Sequence, residues 1–453
     1  MENLAESARR IRDVINYIKV FKDALAVIHI DDQIIDSSLL PSLIHDIALI
    51  HQAGLKVIVA PGARKQINKI LDDAKIEWKI QNGSRVAPES AMPLIKTAAL
   101  DVANTIMNHF AGENRTAVIG NWVKARGKGV VDGIDYGTAG EIDKLKIDVI
   151  EQTLDDGFIP IFPCIGWNDL GKPYNISSAQ LAEQIASHLK AQKLFYILPN
   201  PKFSRDGFAL PDTVHLSDDG NIPAMTLGEA EQILKMNADQ NCLQDQKSAA
   251  QDQKARLLPL LELAQTACKN GVQRVHILDG NLDGILPCEI FSGIGSGTMV
   301  YNNGYGDLRA MQAQDIPSVL SLMSPFVQKG ILLARTEAQL KEQLDNYIVY
   351  NVDGGIHACA ALKFYGDLTQ AEICAVAVDP SYGNMGVGPK LINFLLDKAR
   401  AQKAKSVFVM TTQTADFFEK LGFKPDSIDS IPAERKKLWN PERGSKVYRV
   451  KFL

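Results

Sequence analysis

Residues 371 to 389 read Ala-Glu-Ile-Cys-Ala-Val-Ala-Val-Asp-Pro-Ser-Tyr-Gly-Asn-Met-Gly-Val-Gly-Pro. The apolar run to Val378 predicts a strand that stops at Pro380 and opens, through a glycine-rich turn, into a helix starting near Lys390. Such an arrangement binds a pyrophosphate. Main-chain groups at Val376, Ala377 and Val378 can pair with an extended ligand. Gly383, Gly386 and Gly388, with Asn384, Met385 and Val387 between them, let the backbone come close to a diphosphate. The anion then meets unpaired N–H groups and the positive end of the helix. By itself a glycine turn of this kind also suits an ordinary left-handed helix cap, so the sequence that follows has to decide.

Further on comes a second strand, Ser406-Val-Phe-Val-Met410, then Thr411-Thr412, then a short helix closing in Asp416-Phe-Phe-Glu-Lys-Leu-Gly-Phe423. This order of strand, glycine turn, helix, strand, short helix and Gly-Phe resembles the core of the Gcn5-related N-acetyltransferases (GNAT). The resemblance implies an α/β acetyltransferase domain that holds acetyl-CoA in the splay between the two strands. One position departs from the pattern. The family's Arg or Gln at the head of the loop is Gly383 here, which leaves the pyrophosphate to main-chain donors.

The chain has 453 residues, enough for about two to four domains, each with its own core. With 46% hydrophobic and 23% charged residues it reads as globular, and a net charge of −4 argues against nucleic acid or anionic membrane as the main partner. No stretch reads as membrane-spanning, and the charged, amphipathic start argues against a secretory signal. The six cysteines (Cys164, Cys242, Cys268, Cys288, Cys359, Cys374) stand far apart, mostly within apolar runs. Buried free thiols in a cytoplasmic protein are the expectation, and without His or Cys pairs at ligand spacing no metal is expected.

Residues 1–22 carry apolar side chains near a period of 3.6 and predict one amphipathic helix, whose face needs a partner in its own domain or in another subunit. From there strand and helix alternate: strands over 24–30, 56–60, 116–120, 159–162, 194–198 and 275–278, with helices over 40–52 and 65–74 between the early ones. Alternation of this kind predicts a parallel sheet covered by helices on both faces. Residues 238–256 lack an apolar stripe and predict an exposed connection running into a helix over 255–270. The proposed organisation is 1–22 N-terminal helix, 23–300 first domain, 301–307 linker and 308–453 acetyltransferase domain.

The first domain carries Tyr17-Ile-Lys-Val-Phe21, Val59-Ala-Pro-Gly-Ala-Arg-Lys-Gln66, Gly129-Val-Val-Asp-Gly-Ile-Asp-Tyr136, Tyr174-Asn-Ile176, His276-Ile-Leu-Asp-Gly280, Glu289 and Gly293-Ile-Gly-Ser-Gly-Thr298. These resemble, in order, the amino-acid kinase fold, and closely the regulatory half of bacterial N-acetylglutamate synthases and the related acetylglutamate kinases. Kinases of this fold bring a Gly-Gly loop onto the γ-phosphate, whereas Asp31 and Asp32 stand at that place and would repel it. The family's later catalytic aspartate is Ala179. A kinase-like domain without kinase activity is therefore expected. In arginine-sensitive relatives the effector touches residues matching Tyr17, His276, Glu289 and the backbone around Gly295 and Gly297. An acid at Glu289 suits a guanidinium or an α-ammonium.

For acetyl transfer, main-chain N–H groups near Val376 are the expected oxyanion donors. Glu372, which matches the glutamate of the synthase segment Glu-x-x-x-Val-Ala-Val, is the candidate base; an edge-strand acid facing solvent is the plain alternative. The tail around 431–447 resembles the synthase signature that clasps glutamate, with Arg435, Arg443 and Ser445 in the matching places and Arg335 as a further carboxylate contact. Phe417 and Phe418 stand where many acetyltransferases carry a tyrosine acid, and Cys374 is expected to be packed in apolar surroundings rather than a nucleophile. The resemblance implies an N-acetylglutamate synthase, taking acetyl-CoA and L-glutamate at the entry to arginine biosynthesis. It also implies inhibition by L-arginine and a homo-oligomer, with a hexamer as the size it suggests. An acetyltransferase for another amine, or an arginine sensor with an inert transferase half, are the alternatives.

Overall fold

The computed structural model describes residues 11, 14–15, 18–19, 21–214, 216–238, 249–291, 297–302, 306–352, 354–366, 369–383 and 386–452. The chain divides into two units, Met1–Asn303 and Gly304–Leu453.

The first unit is built on an eight-stranded sheet: β1 (Leu25–Ile30), β2 (Lys56–Pro61), β3 (Ala117–Ile119), β4 (Ile159–Ile161), β5 (Lys193–Leu198), β6 (Ala224–Thr226), β7 (Arg274–Asp279) and β8 (Thr298–Tyr301). Their order is β6-β8-β7-β5-β1-β2-β4-β3. All six residues of β1 are buried, as an apolar strand covered on both faces must be. Separate apolar clusters line the two faces of the sheet. One pair departs from the expected parallel arrangement, for β8 returns beside β7 antiparallel. After β1, Asp31 caps a one-turn helix, α1 (Asp32–Ile35), by accepting from the N–H of Gln33. The turn buries Ile34, and a side chain at Gly280 would lie 2.7 Å from it, so apolar atoms fill this end of the sheet. Asp32 accepts from the N–H of Lys65 in the first turn of α2 (Arg64–Asp73). The connection expected over 238–256 is shorter than the composition suggested, since a helix already runs from Ala249 to Lys269. From Asp252 to Arg256 its side chains are exposed or half-buried, in keeping with the missing apolar stripe.

The second unit is a seven-stranded sheet of β9 (Asp307–Ala310), β10 (Tyr347–Val352), β11 (Gly355–Tyr365), β12 (Gln370–Val378), β13 (Ser406–Thr411), β14 (Lys424–Asp426) and β15 (Lys446–Lys451). The order is β9-β10-β11-β12-β13-β15-β14. Helix α3 (Ile316–Gln328) packs on one face with Tyr347, Val349, Cys359, Ala361, Ala375 and Ala377. Helix α4 (Val387–Ala401) packs on the other with Ile348, Ala358, Ala360, Ala371 and Ile373. Odd-numbered residues of β12 thus change face between Ile373 and Ala375, which a regular strand forbids. The cause is a bulge. Cys359 pairs with Ala377 and Ala361 with Cys374, so two steps along β11 oppose three along β12, and Ala375 takes the extra place at φ +53°.

Candidate active site

The bulge lies where β12 loses its other neighbour. Strands β12 and β13 run parallel and are paired from Gln370–Ser406 to Ile373–Val409, after which β12 continues to Val378 without a partner on that side. Val376, Ala377 and Val378 therefore border a cleft between two diverging strands. Backbone groups along such an edge can pair with an extended ligand.

Beyond β12 a 3-10 turn, Pro380–Tyr382, ends in a hydrogen bond from the Gly383 N–H to the Pro380 carbonyl at 3.1 Å. Gly386 is the N-cap of α4 at φ +68°, a conformation that suits glycine. The helix begins at Val387, a turn earlier than the start near Lys390 read from the sequence, because Pro389 is tolerated in a first turn. Val387 and Gly388 are thus helical residues whose N–H groups belong to the unpaired N-terminal set. A side chain on Gly388 would sit 3.3 Å from the Phe417 ring. Asn384 and Met385 lie outside the described residues.

Next to the bulge stands a cluster of charges. Glu372 is buried, and its two carboxylate oxygens each accept from Arg435 Nε at 2.9 Å, while the Tyr365 hydroxyl donates to Oε2 at 2.6 Å. Neither the solvated edge acid nor an unattached base describes it: the expected base and one expected substrate arginine form an ion pair. Arg435 comes from the four-residue helix Ala433–Lys436. Arg335 is half-buried with its Nε unpartnered, in the electrostatic field of Tyr347, Cys374 and Glu372. Burial pushes the Tyr347 phenol up to about 12, against the pull of Arg335. Cys374 is half-exposed among Glu372, Arg335, Arg435 and Lys363 rather than in the purely apolar surroundings expected. Burial, then the Glu372 charge, pushes its thiol up to about 12. Arg443 donates from Nη2 to the carbonyls of Gly330 (3.2 Å) and Ile331 (2.8 Å), and Ser445 is half-buried just before β15. Thr411 and Thr414 share a 2.8 Å hydroxyl contact at the end of β13.

In the first unit His276 and Glu289 meet: Nδ1 to Oε1 is 2.6 Å, with both side chains 4% exposed. The imidazole stacks on Phe195, and burial holds it below its ordinary range although Glu289 pulls the other way. Gly297 lets β8 start close to β7, since a Cβ there would lie 2.4 Å from the Ile277 carbonyl oxygen. Tyr17 and Gly295 lie outside the described residues. Among the described residues no three His, Cys, Asp or Glu side chains gather as a metal site, and no helix is long and apolar enough to cross a membrane.

Residues 24–279 match the amino acid kinase family, and residues 343–425 match the acetyltransferase (GNAT) domain. The amino-acid acetyltransferase of Vibrio vulnificus is 31% identical over 445 residues, covering 95% of each chain. The chain belongs to the amino-acid acetyltransferase family. Among solved structures this acetyltransferase resembles the N-acetylglutamate synthase of Neisseria gonorrhoeae complexed with coenzyme A and L-arginine. The TM-score is 0.76 at 26% identity, covering 98% of this chain and 99% of that one. The same synthase complexed with coenzyme A and N-acetyl-glutamate matches with a TM-score of 0.59 at 27% identity and the same coverage. Two residues of the acetyltransferase unit escaped the sequence reading. Lys363 pairs across strands with Glu372 and sets its Nζ 5.0 Å from the Tyr365 ring centre. Arg449, on β15, is buried and donates to Asp426, Gln370, Ser406 and Ser430. Strand alternation could have found Lys363; the partners of Arg449 come from three separate segments and leave no local signal.

Proposed function

We propose that this amino-acid acetyltransferase is a cytoplasmic N-acetylglutamate synthase: it moves the acetyl group of acetyl-CoA onto the α-amino group of L-glutamate, the first step of arginine biosynthesis. The observation that carries the reading is the pair of guanidinium groups, Arg335 and Arg435, gathered around Glu372 beside the bulged edge of β12. A dicarboxylate acceptor needs two cations, and the planar fork of arginine binds a carboxylate through two parallel hydrogen bonds. Acetyl-CoA lies along Val376, Ala377 and Val378, with its pyrophosphate on the turn of Gly383, Asn384, Met385 and Gly386 and the first N–H groups of α4 at Val387 and Gly388.

Glutamate carboxylates take Arg335 and Arg435, and Arg443 and Ser445 close the pocket from the tail. Drawing Arg435 onto the substrate loosens its hold on Glu372, which then accepts a proton from the substrate ammonium through water. The freed amine attacks the thioester carbon, the N–H groups near Val376 steady the oxyanion, and the C–S bond breaks as the carbonyl reforms. The thiolate leaves with little help, since a thiol is a far stronger acid than an alcohol, and the second proton that the nitrogen sheds on collapse reaches it through water to give the CoA thiol. Transfer is direct, and a thiol pushed up to about 12 suits Cys374 to packing.

L-Arginine binds the kinase-like domain at Tyr17, His276, Glu289 and the backbone of Gly295 and Gly297, and inhibits. A buried Glu289 held by His276 supports this as a ready counter-charge. The domain does not phosphorylate, with Asp31 and Asp32 at the phosphate loop and Ala179 in place of an acid. Residues 1–22 tie subunits into a homo-oligomer, a hexamer being the size to test. Ile11 and Ile15, at 60% and 59% exposed, support it, and a chain lacking 1–22 that keeps its size refutes it.

Steady-state thiol release from acetyl-CoA with a panel of amino acids, with and without arginine, tests the whole. Glutamate should be the preferred acceptor, and Arg335→Ala and Arg435→Ala should raise its KM far more than that of acetyl-CoA. Equal effects on both favour another amine as acceptor. No release with any amino acid leaves an arginine-binding protein.

A further inference from the structure

We propose that the kinase-like unit holds a binding site for a small aromatic monocarboxylate bearing a hydroxyl group. The site is a cavity between the start of the helix Met92–Gly112 and the strand Pro173–Asn175. Its volume is 230 Å³, and a cavity of about 150 Å³ is already enough for benzene. Met92, Pro93 and Tyr174 supply apolar walls, and Thr138 closes the buried side.

Thr138 is what points to a ligand. It is 3% exposed, and its Oγ1 is buried without a hydrogen-bond partner, although an unpaired polar group in the interior costs free energy. Its main chain is fully used: the N–H donates to the Ala87 carbonyl at 3.0 Å, and its carbonyl accepts from the Asn175 N–H at 2.9 Å. The corner before it is fixed as well. Gly137 donates to Asp135 Oδ1 at 2.9 Å and lies at φ +53°, so close to Ala87 that a Cβ would stand 2.1 Å from that carbonyl oxygen. A hydroxyl held rigidly at a cavity wall, with nothing to bond, is matched to a polar group that enters the cavity.

The opposite end of the ligand is set by charge. The helix Met92–Gly112 runs for 21 residues, begins without a side-chain cap and has no acid in its first turn, so its positive end is uncompensated there. Lys96 follows one turn later. Side chains on a helix lean toward its N-terminus, which brings the Lys96 ammonium over Met92 and Pro93 at the cavity. Lys172 is already engaged, since its Nζ lies 2.5 Å from Glu89 Oε1 and 5.5 Å from the centre of the Tyr174 ring. That pair neutralises the acid at the rim and leaves Lys96 and the helix end for one carboxylate. Between the two polar ends, the Met92 thioether and the Tyr174 ring favour a flat aromatic body.

The test titrates the full chain, isotope-labelled at its methionine methyl groups, with benzoate, meta- and para-hydroxybenzoate and the corresponding amides. The reporter is the Met92 methyl signal, assigned by its loss in Met92→Leu. The acids should move that signal saturably, with one hydroxybenzoate binding about fivefold tighter than benzoate. The amides, which bring no charge to Lys96, should bind about tenfold more weakly than their acids. Thr138→Val should erase the gain from the hydroxyl, leaving the acids within about twofold of one another. Lys96→Gln should weaken every acid about fivefold and no amide. Without ligand, Thr138→Val should unfold at the parental midpoint or above it, since no hydrogen bond is lost. A lowered midpoint, or a variant that does not fold, assigns the hydroxyl to the fold and overturns the proposal. A Met92 signal that no acid moves, amides as tight as the acids, a ring hydroxyl that adds nothing, or unchanged acid binding in Lys96→Gln each overturns it too.

Discussion

Arg435→Ala should damage the acetyltransferase unit more than Glu372→Gln does, although both break one ion pair. The asymmetry follows from burial: the Glu372 side chain is 4% exposed and that of Arg435 is 16%. Removing the arginine strands a carboxylate in the interior with the Tyr365 hydroxyl as its remaining donor, and a buried charge stripped of its partner costs about 3–5 kcal/mol. The Tyr365 bond puts the estimate at the lower end, about 3 kcal/mol. Removing the acid instead leaves a guanidinium near the surface that water can reach, at about 1–2 kcal/mol. For a unit of this size about 3 kcal/mol lowers the midpoint by roughly 6–12 °C. Calorimetry on the full chain reads it, taking as the relevant transition the one that coenzyme A raises. Pairing Arg435→Met with Glu372→Gln should recover part of the loss, because no unpaired charge remains. An Arg435→Ala chain no less stable than Glu372→Gln refutes the argument, since the carboxylate would then have found water that the geometry denies it.

Gly386→Ala forces a side chain into the left-handed region at φ +68°, at a cost of about 1 kcal/mol, and should raise the KM for acetyl-CoA several-fold while leaving that for the acceptor alone, as initial rates will read. His29 is buried against Ser178 and burial lowers its imidazole from 6.5 to about 4. The unfolded chain takes up the proton first, so the kinase-like unit should lose up to about 3 kcal/mol between pH 6.5 and 4, and urea midpoints of His29→Asn should fall less over that range. Asp46 shows the opposite sign: burial and the Asp283 charge raise its carboxyl from 3.8 to about 6, so ionisation weakens the folded state as pH rises through that window. Because the group is partly solvated, Asp46→Asn should gain about 1 kcal/mol at pH 8 and nothing at pH 4, measured by denaturant midpoints.

Much of this was legible because it is local. Apolar runs over 24–30 and 194–198 gave β1 and β5 to within one residue at an end, and an amphipathic stripe gave the helix from Leu40 to Gln52 with its ends in place. The glycine turn was readable because Gly386 answers to a single backbone torsion. What could not be read depends on approach between distant segments. That Arg435 grips Glu372 requires the tail to return across 63 residues of sequence, and that Arg443 faces Gly330 requires a return across 113. The helix α4 starts three residues before the Lys390 read from the sequence, and Pro389 fits there because a first turn has no use for its missing N–H. The antiparallel β8, set between β6 and β7, was missed because strand direction leaves no periodic trace in a short strand.

The bulge in β12 is the deepest of these omissions and the one that joins fold to chemistry. Without the extra residue, Ala375 and Ala377 would follow Ala371 and Ile373 onto the α4 face. Glu372 would then share its face with Val376 and Val378 instead. The insertion reverses the alternation, so that Ala375 and Ala377 join the acid on the α3 side while Val376 and Val378 turn toward α4, just where the strand edge comes free of β13. Ala375 accepts φ +53° to make this possible, a conformation costing an alanine about 1 kcal/mol that regular pairing on both sides of the bulge sustains. Nothing in the local sequence demands it, since Ala-Val-Ala-Val would pair without interruption. The register is imposed from outside, by β11, whose pairing with β12 steps by one residue across the bulge, while β13 pairs only with the four residues before it, Gln370 to Ile373, and the site stands at that step.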